Sequence, residues 1–381
     1  MSRKILWISD SPELPTGNGK ITRQFAQRIK KKDDSELAVL GRGYMGWPGV
    51  SEKYGCKIYP MNIGRQYPEI MKAISAEFKP QVVISCLDMW QIDWIEHAKL
   101  SNAFTNIGYI SIYGQPVPFS WKRIVKNLDL AICYSEFGKT VLKEFMPFTS
   151  VDMIPLGVDI STYKPLKNIG EIKEKHGLSG KFVIGSIARN QTRKRLDKLI
   201  EGFAKFSKKC DSAHLFLRTD PTTEHGYDIP DLLLYYGVTD KTTISEFGDS
   251  RTGLAEEELV ELYNMFDVYV QTAGAEGFGI PILEAMACGT PVIAPDYSAC
   301  SELVRGNGIL LKPYFPRIVD MATVEQVAID TGELSDSLME LYTNVELRES
   351  YSKKGVEFAR TLTWDSFMDQ WMTILSKVRW E

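Results

Sequence analysis

The sequence predicts an α/β protein made of two doubly wound halves, each a parallel sheet covered by helices. Three observations carry that expectation. Apolar runs of strand length alternate with amphipathic segments of helix length along the whole 381-residue chain, the pattern of parallel βα units. The alternation breaks into a turn-rich connector from Pro155-Leu156-Gly157-Val158-Asp159 to Pro165 and then resumes. Unusual loops recur just past the strands, where open parallel sheets present ligands.

Taken in order, apolar runs such as Ile5-Leu6-Trp7-Ile8 place strands at 3–9, 36–41, 56–60, 81–86, 106–112, 129–134 and 151–154. Amphipathic stretches between them place helices near 20–32, 66–78, 119–127 and 136–145. After the connector, strands are expected near 181–188, 213–218, 242–246, 267–271 and 291–294, with helices near 194–209, 255–265 and 280–288. Beyond about residue 323 the chain reads as nearly all helix, closing with Thr363-Trp364-Asp365 before an aromatic helix to Trp380. The expected domains are 1–160, joined by a final helix 364–381, and 168–363. The loops Ser9–Gly19, Ser85–Trp90, Ser111–Phe119, Ala188–Lys194 and Thr272–Gly279 converge on one cleft if the two halves face each other.

Composition narrows the class. Hydrophobic content of 44% and charged content of 25% are those of a globular protein, and the length suffices for two sizeable cores. A net charge of −4 argues against broad coating of nucleic acid. Six cysteines without a CxxC pair favour reduced thiols and a cytoplasmic setting. The N-terminal apolar run is too short for a signal peptide, and no stretch of 18 apolar residues could span a bilayer. The basic run Lys20, Arg23, Arg28, Lys30, Lys31 and Lys32 reads first as a solvated helix face. Its alternative is a peripheral contact with anionic membrane at the inner face, extended by Lys122, Arg123 and Lys126 beside Trp121.

The most informative stretch lies between Gly274 and Pro295. Glu284 is the only charge between Phe278 and Gly289. Pro281 suits the first turn of a helix, and Gly289 with Thr290-Pro291 ends it. Glu284 therefore sits about one turn into a short apolar helix, beside Leu283, and a buried carboxylate needs a partner. Gly277 and Gly279, around Phe278, leave backbone N–H groups open to a closely approaching anion at the helix start. A ligand with hydroxyls for the carboxylates and phosphate for the amides satisfies this arrangement, and nucleotide sugars have that chemistry. Glu276 precedes the glycines, eight positions before Glu284.

Other constellations are weighed against plainer readings. Gly17-Asn18-Gly19 follows the first strand, but Thr22 stands where a dehydrogenase fingerprint needs its third glycine. A glycine-lined approach for phosphate or sugar competes there with a tight turn. In Arg189-Asn-Gln-Thr-Arg-Lys194, cations sit at the start of a helix, where its positive end disfavours them. Arg189 and Lys194 are read as wanting an anion nearby, and Arg193 and Arg195 as surface residues. Glu302 reads equally as a supporting residue or an exposed one. Asp88 ends a strand, and Asp129 is expected to be a structural cap. Four scattered histidines, no Asp-x-Asp, no P-loop lysine and no Gly-x-Ser-x-Gly elbow argue against a metal site and those chemistries.

These residues resemble retaining glycosyltransferases of family 4. The match rests on Glu276 and Glu284 as the family's E-x7-E motif, on Tyr263-Asn264-Met265-Phe266-Asp267-Val268 before it, and on Ser186-Ile187-Ala188-Arg189 with Lys194. The connector Pro155-Leu156-Gly157-Val158-Asp159 and the closing Trp364 helix belong to it too. The resemblance implies the GT-B fold, two Rossmann-like domains across a cleft with the final helix crossing back to the first. It implies a hexosyltransferase that uses a nucleoside-diphosphate sugar, UDP or GDP, with no cofactor and no obligatory metal. Glu284 would bind ribose hydroxyls and Glu276 the sugar hydroxyls. Gly277, Phe278 and Gly279 would offer amides, and Arg189 and Lys194 would hold the diphosphate.

One departure stands out. The histidine common in the family after the strand Ile107–Ile112 is missing from Ser111-Ile112-Tyr113-Gly114-Gln115-Pro116. Val117-Pro118-Phe119-Ser120-Trp121 looks like a branch with a Pro-Leu-Pro-like turn. Asp88, Tyr113 and Gln115 are the acceptor-side candidates, for a hydroxyl acceptor of unstated identity. A sugar-nucleotide binder without transfer activity, or an epimerase or phosphorylase on the same fold, remain the alternatives.

Overall fold

The computed structural model of the chain describes residues 3–61, 67–92, 104–147, 149–246, 253–319 and 323–378. Two compact units form, one from Met1–Leu156 with Trp364–Glu381, the other from Gly157–Asp249 with Leu254–Thr363.

In the first unit the strands are β1 (Lys4–Asp10), β2 (Glu36–Arg42), β3 (Gly49–Ser51), β4 (Cys56–Met61), β5 (Val82–Ser85), β6 (Thr105–Ile110), β7 (Leu130–Cys133) and β8 (Val151–Met153). They stand in the order β3-β4-β2-β1-β5-β6-β7-β8. All pairs are parallel except the edge pair β3–β4. Both faces of β1 are covered, which is why it reads as a continuous apolar run. Leu6 and Ile8 join one core with Leu40, Val83 and Ile110. Trp7, pointing the other way, stacks on Phe25 of the helix Gly17–Lys32 at 4.2 Å between ring centres.

The C-terminal helix Trp364–Lys377 completes that second layer. Trp371 meets Trp7, Phe25 and Tyr109 edge-on at 5.8, 5.6 and 5.2 Å. Each fully buried ring contributes about 1.5–3 kcal/mol. The same helix accounts for much of the basic run. Arg28 pairs with Asp365 and Lys32 with Asp369, both at 2.8 Å. Lys20 is buried and Arg23 donates to the Pro12 carbonyl, so Lys30 and Lys31 are what the run still exposes besides Lys32. At about 1 kcal/mol per cation near a charged surface, this is a thin basis for lipid docking. Trp380 lies outside the described residues.

The second unit holds β9 (Phe182–Ile187), β10 (Ala213–Arg218), β11 (Thr242–Ser245), β12 (Val268–Val270), β13 (Val292–Pro295) and β14 (Ile309–Leu311), all parallel, in the order β11-β10-β9-β12-β13-β14. At Gly185 in β9 a Cβ would lie 2.1 Å from the Phe266 ring, so only glycine admits that ring.

Beyond 323 the chain is nearly all helix as expected, with one strand among the described residues as the exception. β15 (Pro313–Val319) and β16 (Glu325–Ile329) form an antiparallel hairpin before the helices Thr331–Thr343 and Val345–Ala359. Glu-Gln-Val-Ala-Ile carries no clean alternation of its own. Pairing with β15 and a bond from the Val327 N–H to the Gly274 carbonyl at 2.9 Å make it a strand. The pattern also lacks β3, β14 and the short helices Ile169–Lys175, Ile229–Tyr236 and Ala299–Val304.

Candidate functional site

Two loops at the carboxyl ends of the neighbouring strands β9 and β12 build the site. After β9 the chain passes Arg189 into a 3-10 turn at Thr192–Lys194, and Arg195 adopts a left-handed conformation with φ 51° and ψ 42°. The following helix, Leu196–Ser207, thus starts later than the pattern predicts. The loop after β12 is buried from Gln271 to Gly279. Backbone bonds stitch the loops together. The Gly274 N–H donates to the Arg193 carbonyl at 2.8 Å, and the Thr272 hydroxyl lies 3.0 Å from the carbonyls of Lys194 and Arg195.

Glu276 is the focus of this arrangement. It is buried, and its carboxylate accepts from the Lys194 ammonium, from Gln271 Nε2 at 2.9 Å and from the Arg193 guanidinium at 3.2 Å. Burial pushes the Glu276 carboxyl upward, but Lys194 and Arg193 overcome this and hold it below the usual range. Burial, aided by Arg193, pulls Lys194 below its usual value despite the pairing. Arg193 is therefore no surface residue. It also donates to the Ala275 carbonyl, which anchors it over the loop. Arg195 is half-buried and forks onto Asp197 at 3.0 and 2.9 Å.

Glu284 is buried on the helix Ile280–Ala287, as its apolar neighbours demand. Its partner is supplied by the protein, which the sequence argument lacked. The Tyr263 hydroxyl donates to Glu284 Oε2 at 2.8 Å, and Tyr163 bonds to the same side chain. Burial and this carboxylate both push the two phenols up. The segment starting at Tyr263 turns out to be a set of fixed structural tasks. Asn264 binds the Leu166 N–H at 2.7 Å and the Lys164 carbonyl at 3.1 Å, Phe266 covers Gly185, and Asp267 accepts from the Val183 N–H at 2.7 Å.

Between the two glutamates, Gly277, Phe278 and Gly279 are buried, and their amides donate to no group among the described residues. Gly279 has φ +99°, which only glycine adopts readily, and it turns the chain into the helix with Pro281 in the first turn. Leu283 is fully buried. At the other end, Gly289 with φ +79° stops the helix and donates to the Met286 carbonyl at 2.9 Å. Arg189 is exposed just past β9, and Glu302 is exposed too.

The remaining predicted residues lie in the first unit. Gly17 is exposed at the start of its helix, whereas Gly19 is buried. The Gly19 amide is taken by the Thr16 hydroxyl at 3.0 Å, and a Cβ there would meet the Leu14 carbonyl at 2.4 Å, so this glycine serves a tight turn. Thr22 accepts the Trp7 indole N–H at 3.0 Å. Asp88 heads a 3-10 turn in which its N–H donates to Gln91. Tyr113 and Gln115 are half-buried past β6. Asp129 accepts the Asn106 N–H at 2.7 Å, a structural tie. Among the described residues no group of three His, Cys, Asp or Glu is placed to hold a metal.

Known proteins resemble this chain along both units. The profile of the family described as glycosyl transferases group 1 matches residues 168–357. The mannosylfructose-phosphate synthase of Agrobacterium fabrum is 25% identical over 264 residues, covering 66% of this chain and 54% of that protein. The MMP alpha-(1->4)-mannosyltransferase of Mycolicibacterium hassiacum is 25% identical over 263 residues, covering 67% and 56%. The chain thus spans about half the length of the curated relatives it matches. Among solved structures, sucrose-phosphate synthase from Thermosynechococcus elongatus matches with a TM-score of 0.79 at 18% identity, over 98% of both chains. Anabaena HepE, in complex with UDP and glucose, matches with 0.78 at 17% identity, over 99% of this chain and 100% of its own. These likenesses show a fold of the GT-B type with two Rossmann-like units.

Proposed function

Because the chain belongs to the glycosyl transferases group 1 family through its second unit, we propose that it transfers a hexose from a nucleoside-diphosphate sugar to a hydroxyl acceptor. One observation carries the reading. Lys194 and Arg193 converge on Glu276 directly beside the three amides of Gly277, Phe278 and Gly279, which end in the positive pole of a helix. Arg189, Arg193 and Lys194 set three cations against the single carboxylate of Glu276, so the loop carries a surplus of two positive charges. A diphosphate matches that surplus.

Negative charge grows on the diphosphate as the glycosidic bond breaks. Two cations at about 4 Å each contribute roughly 4 kcal/mol at an effective dielectric near 20. A helix N-terminus carries about half a charge, so the side chains outweigh it. They would fill the role that a metal plays in other transferases, and the reaction would need none. Glu276 would meet the sugar hydroxyls and Glu284 the ribose, its carboxylate already oriented by Tyr263 and Tyr163. With leaving group and acceptor on the same face of the sugar, the anomeric configuration would be retained. HepE supports UDP as the nucleotide, while a Mycobacterium tuberculosis relative named as GDP-mannose-dependent supports GDP.

The test is release of nucleoside diphosphate from UDP- and GDP-hexoses with a panel of hydroxyl acceptors, with and without EDTA. Turnover that survives the chelator and gives an α-linked product from an α-linked donor is expected. A protein that binds donors but liberates no nucleoside diphosphate from any of them would be a sugar-nucleotide binder, and the transferase reading would fall.

A further inference from the structure

Four non-glycine residues among those described have positive φ: Lys79, Arg195, Ser298 and Thr323. Two of the four, Arg195 and Ser298, flank the Lys194–Glu276 pair, one on the loop after β9 and one on the loop after β13. Ser298 is the more extreme. Its φ of 51° and ψ of −146° fall near a region that glycine alone occupies at ease, and it is buried. Such a conformation persists only where the surroundings hold it.

What the strained backbone achieves is visible at Glu276. The Glu276 N–H donates to Ser298 Oγ at 2.9 Å, and the next residue, Ala299, donates its N–H to the Glu276 carbonyl at 3.3 Å. Both backbone groups of Glu276 are thus fastened to consecutive residues of one loop. That loop is itself braced by the hairpin, since the Tyr297 hydroxyl donates to the Glu325 carbonyl at 3.2 Å. Glycine would remove the strain but has no hydroxyl for the Glu276 amide. The residue present accepts the strain and supplies the hydroxyl.

We propose that Ser298 is a positioning residue whose hydroxyl fixes the backbone of Glu276 and, through it, the direction of the amides at Gly277, Phe278 and Gly279. This rests on the transferase reading for its consequence in catalysis, but the geometric part stands apart from it. Glycine in place of a side chain that only filled space would leave exchange at Glu276 and kcat unchanged. Glycine in place of a positioning residue alters both.

The experiment compares the native protein with Ser298→Gly, and uses Lys79→Gly as the control for strain release at an exposed site outside the second unit. In Ser298→Gly the released strain offsets the lost hydrogen bond, so the melting temperature is expected to stay within a few degrees of native while kcat for donor turnover falls about tenfold and donor KM stays within about twofold. Lys79→Gly should keep native kcat. Amide hydrogen exchange gives a second readout that needs no activity: exchange at Glu276 should quicken at least about tenfold in Ser298→Gly, with the core strands unchanged. Unchanged exchange at Glu276 or native kcat in an active enzyme would each overturn the proposal. If the native protein turns over no donor, the transferase reading fails, and the exchange measurement still decides the role of Ser298.

Discussion

Each residue of the Lys194, Arg193, Gln271 and Glu276 group makes sense only with the others present. A buried carboxylate without cations would cost several kcal/mol, and so would a buried lysine without an anion. Arg189, exposed, carries no such cost and can serve a ligand alone. Lys194→Ala and Arg189→Ala are each expected to lower kcat by about 10²-fold, the scale seen when one donor to a developing anion is lost. Glu284→Ala should weaken donor binding by about 1–3 kcal/mol, the range for a hydrogen bond to a charged group. Steady-state kinetics with the preferred donor check all three, and near-native constants throughout would refute the assignments.

A second residue-scale expectation concerns pH. Burial raises the Glu201 carboxyl, but bonds from Lys198, Thr331 and Lys205 bring it from 4.5 down to about 2. A folded value below the unfolded one gives stability that is present above the unfolded value and lost as pH falls through the folded value. Native stability should therefore decline between about pH 4.5 and 2 partly through this group. Glu201→Gln should flatten that stretch of the curve in denaturant titrations taken at stepped pH. An unchanged slope would mean the unfolded chain holds the same proton affinity.

At the scale of elements, the C-terminal helix Trp364–Lys377 is the clearest case of one segment completing another. Trp364, Phe367, Met368 and Trp371 are buried, and Trp371 closes over Trp7, Phe25 and Tyr109. The clasps Arg28–Asp365 and Lys32–Asp369 are exposed and add little by themselves. Packing dominates here. Ending the chain at Thr363 should uncover a broad apolar face on the first unit and yield protein that aggregates or fails to unfold cooperatively. Asp365→Asn with Asp369→Asn should shift the melting temperature only slightly. The reverse ranking, with the double Asn variant the more damaging, would show that charge rather than burial holds the helix.

For the whole molecule, six buried free cysteines and the proposed donor site of the second unit make two bulk predictions that share one experiment. Burial pushes the thiols of Cys56, Cys86 and Cys133 up to about 12 and Cys300 higher still, which keeps them unreactive while folded. A thiol reagent should therefore report unfolding. A nucleotide at a hundred times its dissociation constant should stabilise by about 2.7 kcal/mol and slow that reaction accordingly. Screening UDP, GDP, ADP and TDP this way names the base. Equal labelling with and without every nucleotide would argue against a nucleotide site in the second unit.

The strands of both sheets other than β3 and β14 were legible because covered β-strands leave long apolar runs, as Ile5–Ile8 and Phe182–Ile187 do. Gly279, Pro281 and Gly289 likewise marked their helix ends, since positive φ and a missing N–H are requirements of backbone geometry, local by nature. Glu276 and Glu284 stood out as charges among apolar neighbours, and Lys194 as a cation at a helix start, where the positive end disfavours it. What sequence could not assign was partnership. Arg193 read as a surface cation until Ala275 and Glu276 stood opposite it, and Glu284 read as waiting for a ligand until Tyr263 and Tyr163 reached it. The strand Glu325–Ile329 exists because of β15 and Gly274, and Ser298 looks ordinary until its φ is known. The chain alone set which groups would be costly to bury. The fold chose who compensates them, because a hydrogen bond is satisfied by proximity in space and carries no mark of distance along the sequence.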